Sequence, residues 1–308
     1  MALRLKNSLQ TIFIVKKILV TGANGQLGTA LRKEAVQFAG FQFIYTDVAE
    51  LDLCQPDAVS RFFATEKPDY VINCAAYTAV DKAEQDSEMA MRINRDAPKN
   101  LAEACKSYPS KLIHISTDYV FDGEDSRPYH EEDTVNPQSE YGRTKLAGEQ
   151  AILSSGAEAI VIRTAWLYSA YGNNFVKTML RLGNEKEALN VVADQVGTPT
   201  FANDLASAIL QIIAHCETGF KPFQSGVYHY SNEGVASWYD FAKAIFEMAN
   251  IEKCRVLPIA TAGYPTPAQR PAYSVLDKSK IKIIFELSIP YWRDALRECV
   301  AQLNEVPK

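Results

Sequence analysis

The sequence has little of what metal centres and disulfide scaffolds require. Its 308 residues include six cysteines and four histidines, all widely scattered, and no two cysteines form a C-x-x-C pair. Because the ligand spacings typical of zinc sites are missing, the pattern predicts no metal site. Most of the cysteines lie in apolar surroundings, so we expect reduced thiols in a cytoplasmic protein.

Long apolar runs and excess positive charge are missing as well. No run approaches the roughly 20 residues that a membrane-spanning helix needs. The formal net charge is −5, so neither nucleic acid nor an anionic membrane is an expected partner. Residues 1–15 are basic and partly apolar, but no small-residue cleavage site follows them. We interpret them as an N-terminal extension rather than a targeting signal.

Apolar, β-rich segments alternate with amphipathic helical segments through the first half of the chain. This rhythm is typical of a parallel sheet covered by helices on both faces. The sequence therefore predicts an α/β fold with a Rossmann-like, doubly wound parallel sheet over residues 16–165. Residues 166–308, richer in aromatics, prolines and loops, are predicted to form mainly a smaller, mixed α/β substrate-binding region. Segments near 190–215 are expected to return to the first domain. The predicted strands are KKILVTG, FQFIYTD, DYVINCAA, KLIHIST and AIVIRTA.

A glycine-rich loop joins the first predicted strand to the first predicted helix. Gly22, Gly25 and Gly28 form the pattern G-x-x-G-x-x-G. Glycines at this junction permit a tight turn and a close approach of the backbone to a pyrophosphate, which then faces the free N–H groups of the helix. The position after a strand and before a helix is the context that a dinucleotide-binding site demands.

Acidic and small residues follow the next two predicted strands. Asp47 ends the second strand, 19 positions after Gly28, near the spacing at which an acid accepts hydrogen bonds from the adenosine ribose. An acid there favours NADH, although Arg32 and Lys33 could reach a 2′-phosphate, so NADH and NADPH both remain open. The adenine is expected near Asp52 and Leu53. Ala75, Ala76 and Tyr77 follow the third strand and leave room for the cofactor.

A tyrosine and a lysine four residues apart stand on a predicted helix. Tyr141 and Lys145 share one helix face and can point into one cleft. An ammonium group nearby is expected to lower the pKa of the phenol and make it a proton donor and acceptor near neutral pH. Upstream, a strand ends at Thr117, whose hydroxyl could bond and polarise a substrate carbonyl. The pattern Y-x-x-x-K alone is common. It indicates a catalytic pair here because it follows the glycine loop and the threonine at the strand end.

Taken together, these motifs resemble the extended short-chain dehydrogenase/reductase superfamily. Within it the sequence is similar to the dTDP-4-dehydrorhamnose reductase family over roughly residues 16–303. The similar segments are AAYTAVDKAE, STDYVFDG, YGRTKLAGE, RTAWLYS, NNFVKTMLRL, DQVGTPT, YPTPAQRP and SxLD.

The resemblance implies a reaction and a role for each site residue. The reaction is reduction of the C4 ketone of a dTDP-4-keto-6-deoxy sugar by NADPH or NADH. Tyr141 would protonate the C4 oxygen, Lys145 would hold the nicotinamide ribose, and Thr117 would bond the reacting oxygen. Asp118 would contact the sugar, and Trp166 would pack against its ring.

The resemblance also assigns the cofactor contacts, and one arginine is a candidate for the substrate's diphosphate. Arg270 lies in a loop of the second region, and a guanidinium fork suits a diphosphate. The cofactor is expected to contact Gly22, Gly25, Gln26, Leu27, Gly28, Asp47, Val48, Asp52, Leu53, Ala76, Tyr77, Thr78, Tyr141 and Lys145.

The chain departs from the family pattern in a few places, and other functions stay open. The family commonly reads R-P-x-N-S where this chain has a tyrosine at position 273, which puts that substrate contact in doubt. Some relatives dimerise around a metal held by glutamates. We can place no such ligands here, and expect a possible homodimer without an obligatory metal. The alternatives are a nucleotide-sugar epimerase or dehydratase, and a non-catalytic subunit like the methionine adenosyltransferase β-subunit.

Overall fold

The structure is a computed structural model that describes residues 15–305. The predicted N-terminal extension, up to residue 14, lies outside the described residues. The strands are β1 Lys16–Thr21, β2 Phe41–Thr46, β3 Tyr70–Asn73, β4 Lys111–Thr117, β5 Ala159–Thr164, β6 Leu167–Tyr168, β7 Ala188–Val192, β8 Val196–Gly197, β9 Thr200–Phe201, β10 Gly226–His229, β11 Ala236–Ser237 and β12 Arg255–Ile259.

Helices connect these strands. They are α1 Gln26–Glu34, α2 Pro56–Glu66, α3 Val80–Ala83, α4 Ser87–Met91, α5 Ala97–Ser107, α6 Glu140–Ser155, α7 Phe175–Glu185, α8 Ala202–Glu217, α9 Trp238–Met248, α10 Ser279–Phe285 and α11 Trp292–Glu305. A π-helical turn, Arg92–Asp96, joins α4 to α5.

Six parallel strands form the central sheet in the order β2-β1-β3-β4-β5-β10. This is the doubly wound arrangement predicted from the alternation of strands and helices, and that fold class is confirmed. The chain moves from β1 outward to β2 and then to β3 on the other side of β1. Between β1 and β3 the strand order reverses, and a crevice opens there at the carboxyl ends of the strands.

The two faces of the sheet bury separate apolar clusters. Ile18 and Val20 point to the face covered by α1 and α8, whereas Leu19 between them points to the face covered by α2, α5 and α6. This alternation follows from the two-residue period of a strand. Since both faces are covered, the strands read as nearly continuous apolar runs in the sequence.

The second region forms a separate apolar cluster from α7, α9 and α11, with the parallel pair β7 and β12 beside it. Phe241 and Trp292 lie in this cluster with their side chains buried. The segments DLASAILQIIAHC, SWYDFAKAIFEMAN and YWRDALRECVAQL have helical patterns that predict α8, α9 and α11, whereas the sequence predicted neither α7 nor the short strands after residue 166. We propose that residues 16–165 together with α8, β10 and α10 form the first domain, because these later elements pack in its cluster.

Helix α6, which carries Tyr141 and Lys145, has a clear start and end. Ser139 precedes it and accepts a hydrogen bond from the Gly142 N–H at 3.1 Å, which caps the first turn. Gly156, at φ +79°, ends it in the left-handed conformation. A Cβ at Gly148 would overlap the Asn94 carbonyl oxygen. The glycine therefore lets α6 lie directly against the π-helical turn.

Within residues 15–305, no helix is long and apolar enough to cross a membrane.

Gly148→Ala is expected to lower the free energy of unfolding by about 1–3 kcal/mol, because the added methyl group meets backbone that cannot move without shifting α6. Gly40→Ala is the matched control, since a Cβ there meets nothing within 4 Å in the described part of the chain. It should change the free energy by no more than about 0.5 kcal/mol. Urea denaturation measures both, and equal stabilities would contradict the close packing of α6.

Candidate functional site

A cleft of about 920 Å³ opens at the carboxyl ends of β1, β3 and β4. It contains most of the residues that the sequence analysis placed in the site. Those that line it are Gly22, Gly25, Gln26, Leu27, Gly28, Asp47, Val48, Asp52, Leu53, Ala76, Thr78, Thr117, Asp118, Tyr141, Lys145 and Trp166. Tyr77 and Arg270 lie beside the cleft and are considered below.

The glycine loop at one end of the cleft depends on very close backbone contacts. Gly22 has φ +63°, and a Cβ there would lie 2.6 Å from the backbone nitrogen of Ala75. A Cβ at Gly28 would lie 2.5 Å from the Ala23 Cα. Gly25 stands at the N-terminus of α1 with no side-chain cap. The first N–H groups of α1 therefore face the cleft with a positive partial charge, as a pyrophosphate site requires.

Asp47 closes the cleft beyond the glycine loop. Its two carboxylate oxygens accept hydrogen bonds from the backbone nitrogens of Asn24, at 3.0 Å, and Val48, at 2.8 Å. The Glu50 carboxylate accepts a third bond, from the Asp47 N–H at 2.9 Å. Two acids thus stand together where the adenosine ribose was expected. The guanidinium of Arg32 lies 4.3 Å above the Tyr45 ring.

Thr117, Asp118 and Tyr141 lie together in the centre of the cleft. The Thr117 hydroxyl donates to the Asp118 carboxylate at 2.9 Å, and the Tyr141 phenol lies beside it. Burial raises the pKa of Asp118 to about 6, although the hydrogen bond from the Thr117 hydroxyl acts in the opposite direction. Its Oδ2 atom has no partner among the described residues, which leaves one oxygen available to a ligand.

The expectation that Lys145 lowers the pKa of Tyr141 is wrong for this structure. Burial raises the pKa of the Tyr141 phenol, and the nearby Thr117 hydroxyl offsets only part of this effect. The reason is that an apolar pocket disfavours the phenolate. Tyr141 therefore holds its proton firmly and is suited to donate it to an oxygen that is becoming an alkoxide.

Lys145 lies buried behind Tyr141, with 2% of its surface exposed. Its Nζ donates to the Ile115 carbonyl oxygen at 2.6 Å and lies 3.4 Å from the His114 Nε2. Burial lowers the pKa of Lys145 to about 8, while the nearby Glu149 and Cys74 act in the opposite direction. Its charge thus changes close to neutral pH.

The Trp166 indole forms part of the cleft wall and is backed by a second indole, that of Trp238. Trp166 stacks on Trp238 with ring centroids 3.5 Å apart and an angle of 10° between the planes. Its backbone has φ +48°, a conformation that bulky residues rarely adopt. A Cβ at Gly197 would lie 2.7 Å from the Trp166 ring and 2.5 Å from the Ser274 Oγ. The glycine therefore leaves the space that the indole occupies.

Arg270 and Tyr77 lie just behind the wall of the cleft. Arg270 makes an ion pair of 2.6 Å with Asp81 and lies near Tyr119, which does line the cleft. Its Nη1 is buried and unpartnered within the described ranges. The backbone of Tyr77 is held on both sides by the Asn94 side chain, at 2.9 and 3.1 Å. Their predicted contacts with diphosphate and cofactor stay predictions.

Several residues that position the site were not predicted from the sequence. Asn94, in the π-helical turn, bonds Thr144 of α6 at 3.0 Å as well as the Tyr77 backbone. Ser169 and Asn174 each donate to the Gln26 Oε1 at 2.9 Å and so fix the side chain at the start of α1. Asn174 lies in the NNFVKTMLRL segment, but its partner is 148 positions away in the chain. No local pattern shows such a pair.

Across residues 15–305, no group of three histidine, cysteine, aspartate or glutamate side chains is placed to hold a metal ion. All six cysteines are free, three of them buried and three partly exposed. The partly exposed ones are Cys54, Cys74 and Cys216.

Comparison with known proteins assigns a family. The family described as the RmlD substrate binding domain matches residues 16–305. The dTDP-4-dehydrorhamnose reductase of Aggregatibacter actinomycetemcomitans is 43% identical over 286 residues, covering 91% of this chain and 97% of the relative.

Solved structures agree with this family. A dTDP-4-dehydrorhamnose reductase from Clostridium acetobutylicum is 45% identical with a TM-score of 0.88, covering 94% of this chain and 99% of that chain. The Bacillus anthracis reductase, solved in complex with NADP, is 38% identical with a TM-score of 0.88, and the match covers 94% of this chain and 100% of that chain.

Gly197→Ala is expected to separate the two stacked indoles, because the new methyl group would occupy the position of the Trp166 ring. Circular dichroism in the near ultraviolet should lose the signal of the coupled indoles, whereas Gly40→Ala should keep it. An unchanged spectrum in Gly197→Ala would show that Trp166 is not held by this contact.

Proposed function

This chain belongs to the family of the RmlD substrate binding domain, whose reported relatives are dTDP-4-dehydrorhamnose reductases, and we propose that the cleft between β1 and β4 is its active site. The protein is an NAD(P)-dependent oxidoreductase of dTDP-rhamnose biosynthesis. It reduces the C4 keto group of dTDP-4-dehydro-L-rhamnose to give dTDP-L-rhamnose. The observation that carries the assignment of the site is the meeting of the glycine loop with Thr117, Tyr141 and Lys145 in one cleft.

The glycine loop fits the cofactor. Gly22 and Gly28 leave backbone open to a close approach, and the N-terminus of α1 offers free N–H groups. We assign the pyrophosphate to this loop and the adenosine ribose to Asp47. When bound, the nicotinamide supplies the hydride that adds to C4 of the sugar.

Tyr141 supplies the matching proton. As the C4 carbonyl is reduced, its oxygen gains negative charge and takes the proton from the Tyr141 hydroxyl. The raised pKa of Tyr141 keeps that proton in place until the alkoxide forms. The Thr117 hydroxyl, which lies beside Tyr141 and donates to Asp118, would turn to the same oxygen and stabilise its charge.

Lys145 completes the proton path. Its ammonium donates to the Ile115 carbonyl, which orients the side chain within the cleft, and its remaining hydrogens are available to the nicotinamide ribose. A lysine whose pKa lies near 8 can also give a proton back towards Tyr141 after each turnover.

The dTDP-sugar is assigned to the other half of the cleft. The free Oδ2 of Asp118 would accept a hydrogen bond from a sugar hydroxyl, and the Trp166 indole would pack against the ring. Arg270 would bind the diphosphate by turning from Asp81 towards the cleft, since its Nη1 is still without a partner among the described side chains.

The cellular location, oligomeric state and partners of the enzyme also belong to the proposed function. We place it in the cytoplasm, because six free cysteines suit a reducing compartment. We propose a homodimer without an obligatory metal. The net charge of −5 speaks against nucleic acid as a partner.

Tyr141→Phe is expected to lower kcat by about 10²- to 10⁴-fold, because the proton donor is lost. Binding of the cofactor, followed by fluorescence of the reduced nicotinamide, should stay unchanged. Tyr264→Phe removes a hydroxyl from an exposed tyrosine and serves as the control with normal turnover. Full activity of Tyr141→Phe with dTDP-4-dehydrorhamnose would refute the assignment. Cofactor binding without any sugar reduction by the unaltered protein would favour the non-catalytic alternative.

NADH is expected to be preferred over NADPH, because Asp47 and Glu50 place two carboxylates where a 2′-phosphate would lie. Asp47→Asn should narrow the ratio of kcat/KM for NADH and NADPH by about tenfold, which is the effect of roughly 1.4 kcal/mol of relieved charge repulsion. Glu34→Gln, on α1 away from this end of the cleft, is the charge-matched control. A higher kcat/KM with NADPH in the unaltered enzyme would contradict the prediction.

A further inference from the structure

A chain of buried hydrogen bonds runs from the backbone after β3 to Lys145. The Asn73 Oδ1 accepts from the Thr21 hydroxyl at 2.7 Å and from the Ala75 N–H at 3.1 Å. The Asn73 Nδ2 lies 2.9 Å from the Nδ1 of His114, whose Nε2 lies 3.4 Å from the Lys145 Nζ. Asn73 and His114 are buried, and neither was part of the predicted site.

This chain fixes which nitrogen of His114 carries the proton. The Ala75 N–H can only donate, so the atom of Asn73 that faces it must be the carbonyl oxygen. The amide nitrogen of Asn73 then faces His114 and donates to its Nδ1. Burial and the charge of Lys145 hold the pKa of His114 well below its usual value, so the ring is neutral. A neutral ring that accepts at Nδ1 has its hydrogen on Nε2.

We propose that His114 is a positioning residue for Lys145: held by Asn73 as the Nε2–H tautomer, it directs an N–H at the Lys145 amine and stabilises its uncharged form. A hydrogen-bond donor aimed at an ammonium opposes its charge, whereas the same donor bonds the lone pair of a neutral amine. This hydrogen bond lets Lys145 release and regain a proton near neutral pH. The role of that proton exchange in catalysis rests on the proposed function, whereas the assignment of the His114 tautomer does not depend on it.

Two other groups near Lys145 act against His114 and favour the charged form of the lysine. Glu149, one turn further along α6, and Cys74, after β3, both favour the charged form. Glu149 is itself held by Arg163 of β5 at 2.8 Å and by the Ser116 hydroxyl, which reduces its effect on Lys145. Tyr141 lies one turn earlier and is neutral. His114 is therefore the group on β4 that opposes the ammonium.

Two other histidines provide an internal comparison. The Nδ1 of His215 lies 2.9 Å from the Phe285 carbonyl oxygen, and that of His229 lies 3.1 Å from the Tyr129 carbonyl oxygen. Because a carbonyl only accepts, both rings must carry their hydrogen on Nδ1 when neutral. His114 should be the opposite tautomer.

The tautomer is measured by ¹⁵N NMR of the unaltered protein labelled in its histidines, which needs no activity. His114 should show a protonated Nε2 and a bare Nδ1, while His215 and His229 show the reverse. The signals are assigned by their loss in His114→Phe and His215→Gln, or by elimination with His130→Gln. A protonated Nδ1 in His114 would overturn the proposal.

The effect on Lys145 is measured by its ¹³Cε signal in lysine-labelled protein as the pH is raised, with the signal identified by its loss in Lys145→Met. The pKa of Lys145 should be near 8 in the unaltered protein. In His114→Phe it should rise by about one unit, since an opposing donor is lost from a ring of similar shape. An unchanged pKa of Lys145 would show that His114 only fills space beside it, which would overturn the proposal. A fall would show that its Nε2 accepts from the ammonium.

Asn73→Asp provides a second variant, should the phenylalanine fail to fold. A carboxylate in place of the amide can only accept, so it should turn His114 into the Nδ1–H tautomer and raise the pKa of Lys145. Asn190→Asp, which adds the same charge at an exposed position of β7, should change neither. If the pKa rises while His114 keeps its hydrogen on Nε2, the added charge alone acts and the coupling through the tautomer is refuted.

Activity gives a separate measurement. In the unaltered enzyme kcat/KM for the keto sugar should fall as pH rises through about 8, where Lys145 loses its charge. In His114→Phe this fall should occur at a higher pH. Failure of sugar reduction would refute the proposed function while leaving both NMR results intact. If the pH dependence of kcat/KM stays the same while the pKa of Lys145 measured by NMR shifts, the titration of Lys145 does not control the rate, and its proposed part in proton transfer is refuted.

Discussion

The burial of Lys145 is the constraint on which the centre of this molecule depends. An ammonium removed from water loses hydration that it can recover only from nearby acceptors. Here one strong acceptor, the Ile115 carbonyl, lies at 2.6 Å, and the described residues offer it no carboxylate within ion-pair distance. The carboxylate of Glu149 is engaged by Arg163 instead. The lysine consequently sits close to the balance between its charged and neutral forms.

That burial in turn requires α6 to lie very close to its neighbours. Gly142 packs against the Tyr119 carbonyl, and Gly148 packs against the Asn94 carbonyl. The π-helical turn at Asn94 widens the preceding helix and turns an amide towards Tyr77 and Thr144. Such turns often mark functional sites because they give up regular helical bonds for a side-chain contact. The same closeness that buries Lys145 thus brings the helix carrying Tyr141 up to the end of β4.

Much of this arrangement could be predicted from the sequence, because its signals are local. The glycine loop, the acid after the second strand, and the threonine at the end of β4 each occupy a fixed place relative to a strand. Those places meet in space once the sheet is doubly wound. The pairing of Gln26 with Asn174, and of Arg270 with Asp81 at a separation of 189 residues, has no local signal. The raised pKa of Tyr141 escaped prediction for a related reason: it comes from burial by distant segments and not from its neighbour on the helix.

The Trp166 side of the cleft is organised by strain rather than by charge. Trp166 holds a left-handed backbone conformation, which costs a bulky residue on the order of 1–3 kcal/mol. The cost is offset where the indole stacks on Trp238 and fills the space that Gly197 leaves. A strained residue persists only when its surroundings determine its position several times over. The position of the Trp166 indole is therefore set before a ligand arrives, and a ligand that packs against it needs no reordering of that wall. The half that holds the glycine loop is likewise set by the backbone contacts of Gly22 and Gly28. Since both halves are preformed, the groups left to respond to ligands are those at the cleft with unpaired atoms, Thr46, Asp118 and Arg270 among the described residues.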